Sequence, residues 1–284
     1  MKVLKFGGSS VAKPENIVKI KNIISKYNDP IILVVSAFGG VTDLLLQAGS
    51  LASAQDQKYK EILHTLEERH LATVKELIPV TTQSKVLSKV KSEFNVLETL
   101  LEGAYFIGEI TPKLSDKIVS YGELLSSYII SEYLINEKLD AVFKDSRELI
   151  ITHKLIGKNV VNFTKTNANC EEFFNSSKKQ VSVCPGFIAT SEEGISTTLG
   201  RGGSDYTAAI YAAAVDADIL EIWTDVSGMY TANPKMVKQA KAIPHISYEE
   251  AMELSHFGAK VLYPPTIQPV LSKGISIVIK NTFS

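Results

Sequence analysis

Cysteine is nearly absent. Cys170 and Cys184 are the only two in 284 residues, too few and too widely spaced for a disulfide framework or a zinc knuckle, and both are read as reduced, ordinary residues. The five histidines (His64, His70, His153, His245, His256) include no H-E-x-x-H spacing, so no structural metal is expected. No stretch approaches the roughly 18 consecutive apolar residues of a membrane span. The N-terminal run Met1-Lys2-Val3-Leu4-Lys5-Phe6-Gly7-Gly8 breaks off before it could form a signal-peptide core. The expectation is a cytoplasmic chain with no membrane partner. Excess charge is missing as well: 30 basic against 31 acidic side chains leave a net charge of -1, which gives no basic field to hold nucleic acid. Any affinity for phosphate must therefore be local. The two common phosphate signatures, G-x-x-x-x-G-K-[ST] and G-x-G-x-x-G, are also absent, which sets aside the usual nucleotide folds.

What is present is the composition of a globular protein, 45% hydrophobic and 21% charged, long enough for one large α/β unit or two closely packed lobes. Residues 3–6 and 31–36 are short β-rich runs, and between them Ile17, Ile20, Ile23, Ile24 and Tyr27 recur at near-helical spacing. That β-α-β unit implies a parallel sheet covered by helices. Residues 42–134 read as a largely helical excursion. Strand signals return at residues 141–143 and 181–184, the latter stopped by Pro185-Gly186. Residues 208–215 read as a helix and 219–223 as a buried strand. Residues 247–255 read as a helix capped by Ser247 with Glu250 at the capping-box position, and 275–279 as a final strand. A soft lobe boundary is placed between Gln180 and Leu199, giving an N-terminal lobe of about residues 1–190 and a C-terminal lobe of about 191–284.

Several segments could carry chemistry. Lys5-Phe6-Gly7-Gly8-Ser9-Ser10 ends a strand with a lysine and opens a helix through two glycines, a place where backbone N–H groups and a helix N-terminus meet a phosphate. A tight turn beside an exposed lysine is the plainer alternative. Ser36-Ala37-Phe38-Gly39-Gly40-Val41-Thr42-Asp43 leaves the next strand in the same way, and two such loops at neighbouring strand ends share one crevice. In Leu199-Gly200-Arg201-Gly202-Gly203-Ser204-Asp205, three glycines flank a guanidinium fork suited to carboxylate or phosphate, and Asp205 could accept from an ammonium; Ser204 or Asp205 acting only as an N-cap is the alternative. Glu123 lies on an otherwise apolar helix face and needs a partner, structural or ligand. Thr224-Asp225-Val226-Ser227-Gly228-Met229-Tyr230 reads either as a turn or as a base-covering segment.

Four ordered segments, Lys5–Ser10, Gly200–Asp205, Thr224-Asp225-Val226 with Gly228 and Tyr230, and Phe257-Gly258-Ala259-Lys260-Val261-Leu262, resemble the aspartate kinase branch of the amino acid kinase family. The runs Glu221-Ile222-Trp223-Thr224-Asp225-Val226 and Tyr248-Glu249-Glu250-Ala251-Met252-Glu253-Leu254-Ser255 are most similar to the kinase portion of bifunctional aspartokinase–homoserine dehydrogenases. The resemblance implies a three-layer α/β/α sandwich with a mostly parallel central sheet in two lobes, aspartate held by the first and ATP by the second. By the same resemblance Lys5 contacts phosphate with Gly7 and Gly8 beside it. Aspartate is bound by Thr42, Glu123, Phe187, Arg201, Gly202, Ser204 and Asp205, and the nucleotide by Thr224, Asp225, Tyr230, Lys235, Lys260 and Val261. Lys5, Asp205 and Lys260 form the catalytic set, with no protein metal ligand and Mg²⁺ carried on ATP. Ser9 and Lys235 stand where the family usually has threonine and arginine, and the lysine loses a bidentate grip on phosphate.

The implied reaction phosphorylates the aspartate β-carboxylate to 4-phospho-L-aspartate, the first step toward lysine, threonine and methionine. Its partners are small molecules, and a homodimer is compatible with it. Regulatory and dehydrogenase domains, which usually follow in the family, are not expected in this chain. Two alternatives stay open at this point: another kinase of the family, acting on glutamate, acetylglutamate, carbamate or a nucleoside monophosphate, and a non-catalytic nucleotide or amino-acid sensor.

Overall fold

The structure is a computed structural model and describes residues 1–155, 158–232, 236–256, 262–263 and 267–284. It opens with β1 (Lys2–Phe6), α1 (Pro14–Ile24) and β2 (Ile31–Val35). The helical excursion follows as α2 (Val41–Ser53), α3 (Tyr59–Leu77), α4 (Val80–Ile107) and α5 (Pro112–Asn136). Next come β3 (Ala141–Phe143), a single 3₁₀ turn (Ser146–Glu148), β4 (Ile151–Leu155), β5 (Lys158–Val161), α6 (Phe163–Ser176) and β6 (Val181–Pro185). The chain continues through β7 (Ile188–Ser191), β8 (Ser196–Thr198), α7 (Gly203–Ala214), β9 (Ile219–Thr224), α8 (Tyr248–His256), α9 (Gln268–Lys273) and β10 (Ile277–Asn281).

A six-stranded sheet in the order β10-β9-β1-β2-β6-β3 forms the middle layer, and every pairing in it is parallel. Strands of a parallel sheet are covered on both faces, which is why β2 reads Ile-Ile-Leu-Val-Val with every residue buried. Side chains alternate: Leu4, Phe6, Leu33, Val35 and Val183 join a core with residues of α1 to α5, whereas Val3, Ile32, Val34, Leu220 and Ile222 join a second core with α6, α7 and α9. The result is the expected three-layer arrangement. Among the described residues no helix is long and apolar enough to cross a membrane.

Local signals held where the chemistry was local. Ser247 and Glu250 form the expected capping box, with Glu250 N donating to Ser247 Oγ at 3.2 Å and Ser247 N to Glu250 Oε2 at 2.9 Å. The final strand begins later than residues 275–279 suggest. Gly274 closes α9 in the left-handed region at φ 66°, and Ile275 N donates back to Val270 O, so Ile275 belongs to the helix terminus and pairing starts at Ile277. A second, four-stranded sheet, β5-β4-β7-β8, was not anticipated. Its strands are short and polar, such as Ser196-Thr197-Thr198, and give little periodicity to read.

α5 runs through the first core and is buried over most of its surface from Ile118 to Leu134. It fits there because Gly122 and serines line it where the loop after β2 presses in; Ser126 Oγ donates to Ser36 O at 2.8 Å. A methyl group at Gly122 would lie 2.9 Å from Ala37 Cβ and 3.4 Å from Leu45 Cδ1. Gly122→Ala is therefore expected to cost about 1–3 kcal/mol by overpacking, measured as a lower urea midpoint; an unchanged midpoint would show that helix and loop do not meet as tightly as described.

Candidate functional site

Because β1 and β2 are parallel neighbours, the loops leaving their carboxyl ends lie side by side. They touch backbone to backbone: a Cβ at Gly8 would meet Ala37 O at 3.3 Å and Gly39 Cα at 3.7 Å. Arg69 of α3 holds the two loops from behind, donating from Nη1 to Gly39 O at 2.8 Å and from Nη2 to Ala12 O at 3.0 Å. On the other side Gly7 N donates to Trp223 O at 3.2 Å. Ser10 Oγ donates to the same carbonyl at 3.3 Å and lies 2.7 Å from Thr282 Oγ1. The glycine turn is thus fixed to the ends of β9 and β10.

Two further segments close the crevice. Gly186-Phe187 turns the chain from β6 into β7. Gly200-Arg201-Gly202 leads into α7, with Gly200 and Gly202 at φ 73° and 70°, values that disfavour any side chain. Gly203 N donates to Gly200 O at 3.0 Å, and no side chain caps the helix, so the positive end of its dipole opens into the crevice.

The crevice is a cavity of about 240 Å³ lined by Lys5, Ser36, Thr42, Glu123, Phe187, Gly200, Gly202, Gly203, Ser204 and Asp205. Lys5 Nζ lies 2.7 Å from Asp205 Oδ1, both side chains being largely buried. Glu123 is only 4% exposed, and its Oε2 has no hydrogen-bond partner among the described residues. Burial pushes its carboxyl up to about 8, against the opposing pull of backbone hydrogen bonds from Ala37 and Glu123 itself and of the Lys5 charge. One ammonium, two carboxyl groups, a helix N-terminus and the hydroxyls of Ser36, Thr42 and Ser204 therefore face a single space. Such a set suits a small ligand bearing both an ammonium and an anionic group.

Of the positions assigned to aspartate, the structure brings Thr42, Glu123, Phe187, Gly202, Ser204 and Asp205 together around this cavity, with Lys5 among them. Arg201 is not in the lining; it is exposed, and its guanidinium carbon stands 5.2 Å from the Tyr263 ring centre. Gly7 and Gly8 form the turn beside Lys5. Of the nucleotide positions, Thr224 ends β9, Asp225 follows it on the surface, and Tyr230 bridges to Ala242. Lys235, Lys260 and Val261 lie outside the described residues, as does all of the Phe257–Leu262 motif but Leu262. Ser36, Gly200 and Gly203 lie in segments marked from the sequence without being assigned a role of their own, and Arg69 was not marked at all. Ser36 carries the signal of its place directly after a parallel strand, whereas Arg69 sits mid-helix with no local signature.

The profile of the amino acid kinase family matches residues 1–281. The chain belongs to the amino acid kinase family. This family member is 34% identical over 284 residues to bifunctional aspartokinase/homoserine dehydrogenase 1, chloroplastic, of Arabidopsis thaliana, covering 99% of this chain and 31% of that protein. It is 34% identical to the aspartokinase of Chlamydia pneumoniae, covering 99% and 60%. It superimposes on aspartokinase III of E. coli, solved in complex with aspartate and ADP, with a TM-score of 0.91 at 31% identity, covering all of this chain and 62% of that one. The chain thus spans about a third of the bifunctional relative and about three fifths of the other two.

The raised carboxyl of Glu123 makes a stability prediction. Its folded value, about 8, lies above the ordinary 4.5, so the native state holds the proton more tightly and the group costs stability progressively as pH rises between those values. Glu123→Gln is expected to melt several degrees above the wild type at pH 8.5, with the gap closing toward pH 5. A gap that does not change with pH would mean that Glu123 is not held protonated by its burial.

Proposed function

We propose that this chain catalyses transfer of the γ-phosphoryl group of ATP to the β-carboxylate of L-aspartate, giving 4-phospho-L-aspartate. The observation that carries the reading is the buried, unpartnered Glu123 oxygen facing a cavity that also holds Lys5, Asp205 and the N-terminus of α7. A free amino acid supplies what this arrangement lacks, an ammonium for Glu123 and carboxylates for the positive groups. Support comes from the relatives named aspartokinase and from the aspartate and ADP bound to the E. coli enzyme.

The nucleophile, a side-chain carboxylate, is ionised near neutral pH and needs no general base. Catalysis is then positioning and charge stabilisation. Glu123 holds the substrate ammonium, which supplies the cation its buried carboxylate needs in order to ionise. Asp205 shares that charge and keeps Lys5 in place, while Thr42, Ser204, Gly202 and Phe187 shape the cavity. Arg201, carried on the glycine loop, turns from Tyr263 toward the α-carboxylate. Lys5 and Lys260 offset the charge of the phosphoryl group in transit. Gly7, Gly8, Thr224, Asp225, Tyr230, Lys235 and Val261 hold the nucleotide, mainly on the second lobe, while aspartate sits between the first lobe and the Gly200–Asp205 segment. Among the described residues no three His, Cys, Asp or Glu side chains are grouped to hold a metal ion. We read Mg²⁺ as carried on ATP, where it would neutralise charge on the phosphate oxygens.

The direct test is trapping of the acyl phosphate with hydroxylamine in the presence of ATP and aspartate, against glutamate, acetylglutamate, carbamate and a nucleoside monophosphate. Hydroxamate from another acceptor, or from none, would overturn the assignment. Lys5→Ala is expected to lower kcat by roughly 10²–10³ with aspartate binding nearly intact, read by single-turnover kinetics and calorimetry; near wild-type turnover would remove Lys5 from the reaction. Arg201→Lys is expected to raise the aspartate KM well above any rise in the ATP KM, because a point charge replaces a planar fork. If instead the ATP KM rises, Arg201 serves the nucleotide.

A further inference from the structure

Among the described residues, four other than glycine have a left-handed backbone: Gln55, Lys138, Phe187 and Asp216. Gln55, Lys138 and Asp216 each stand just past a helix, after α2, α5 and α7, where such a conformation is a common way to end a helix. Phe187 is different. It sits at φ 69° between β6 and β7, in a three-residue turn closed by Ile188 N donating to Gly186 O at 2.8 Å. A turn of this kind with a positive central φ is rare and strained for a residue bearing a Cβ, and it persists only where its surroundings hold it.

What holds it is visible in the bonds of Phe187. Its carbonyl accepts from Leu199 N at 2.8 Å, and its N–H donates to Thr207 Oγ1 at 2.9 Å. Thr207 is fully buried on α7, and its hydroxyl donates to Gly203 O, one helical turn back, at 2.9 Å. That bond fixes the hydroxyl proton, so a lone pair is left for the Phe187 N–H. The strained turn and the first turn of α7 are also in direct contact. A Cβ at Gly203 would fall 2.6 Å from Phe187 Cδ2, and one at Gly186 would fall 2.6 Å from Ser204 Cβ. Phe187, Ser204 and Asp205 all line the cavity.

We infer that Thr207 is a positioning residue for the acceptor half of the site: its hydroxyl locks the strained Phe187 turn to the first turn of α7, so that Phe187, Ser204 and Asp205 present one rigid wall to the ligand. The inference rests on reading the cavity as the aspartate site. Thr207 itself touches no substrate. Its effect falls on aspartate and not on the nucleotide, since the wall it fixes is made of acceptor-side residues.

Thr207→Val keeps the volume and branching and deletes both hydrogen bonds, whereas Thr207→Ser keeps the hydroxyl and deletes a methyl group. Thr207→Val is expected to raise the aspartate KM roughly tenfold or more, with the ATP KM within about twofold of the wild type. Thr207→Ser should return the aspartate KM to within about threefold of the wild type, even though its missing methyl group lowers the melting temperature. Thr207→Ala, which introduces no new atoms, replaces the valine variant if that one does not fold, with the same expectation. An unchanged aspartate KM in the hydroxyl-deleted variant, an equal rise in both KM values, or failure of serine to rescue would each overturn the assignment, because a merely structural residue lets function follow melting temperature. Wild-type protein that forms no aspartyl hydroxamate would instead overturn the reading of the cavity and this role with it, which separates the two failures.

Discussion

β1 lies between β2 and β9 with Phe6 opposite both Val35 and Trp223, and all three strands run the same way. Their carboxyl ends therefore finish level, and the chain must leave the sheet three times within a small area. Everything in the site depends on that crowding. Gly8 lies against Gly39 because two loops compete for one space, and the carbonyl of Trp223 serves both Gly7 and Ser10 because the third strand ends beside them. Lys5, one residue before the end of β1, points into the resulting crevice and meets Asp205 from α7.

This crowding explains which parts of the site were legible in the sequence. Residues whose role is set by a strand end or a helix start stand out locally: in the site Lys5 with Gly7 and Gly8 and the Gly200–Asp205 run, and away from it the Ser247–Glu250 capping box. Glu123 stood out as a charge on an apolar face, although sequence could not say whether a partner waits for it. Residues whose role is made by tertiary contact left no such mark. Arg69 is one polar residue in a long amphipathic helix, and its two bonds to Gly39 and Ala12 exist only because α3 crosses behind both loops. Thr207 looks like an ordinary residue of an alanine-rich helix. Arg201 was conspicuous, yet its stacking on Tyr263 could not be foreseen, since the two are brought together only by the fold.

The same site concentrates the energetic costs of the structure. Glu123 is buried with an oxygen unpartnered, and Phe187 is held in a conformation its side chain disfavours. Either feature on its own costs on the order of 1–3 kcal/mol. Neighbours offset these costs only in part: backbone N–H groups and the Lys5 charge favour the Glu123 carboxylate without pairing its Oε2, and two hydrogen bonds hold the Phe187 turn. Costs left in place beside a cavity are what a ligand can recover: an ammonium beside Glu123 converts an unfavourable burial into a paired one.

The lysine and glycines proposed to handle phosphate come from one short segment, so the chain needs little beyond the end of β1 to make that part of the site. The side proposed to hold the acceptor is assembled from α2, α5, the β6–β7 turn and α7, which lie far apart in sequence. Its geometry is therefore a property of the packed molecule, held by contacts with no slack: Gly122 against Ala37, Gly186 against Ser204, and Gly203 against Phe187. In a core packed to that density a small displacement is not absorbed locally but passed to the next rigid element. Discrimination between acceptors that differ by one methylene demands walls that do not yield, since such a difference is worth only about 1–3 kcal/mol in a compliant pocket. The glycine contacts and the strained turn stiffen the wall proposed to hold the acceptor, and part of that stiffness comes from residues outside the cavity lining, Gly122, Gly186 and Thr207.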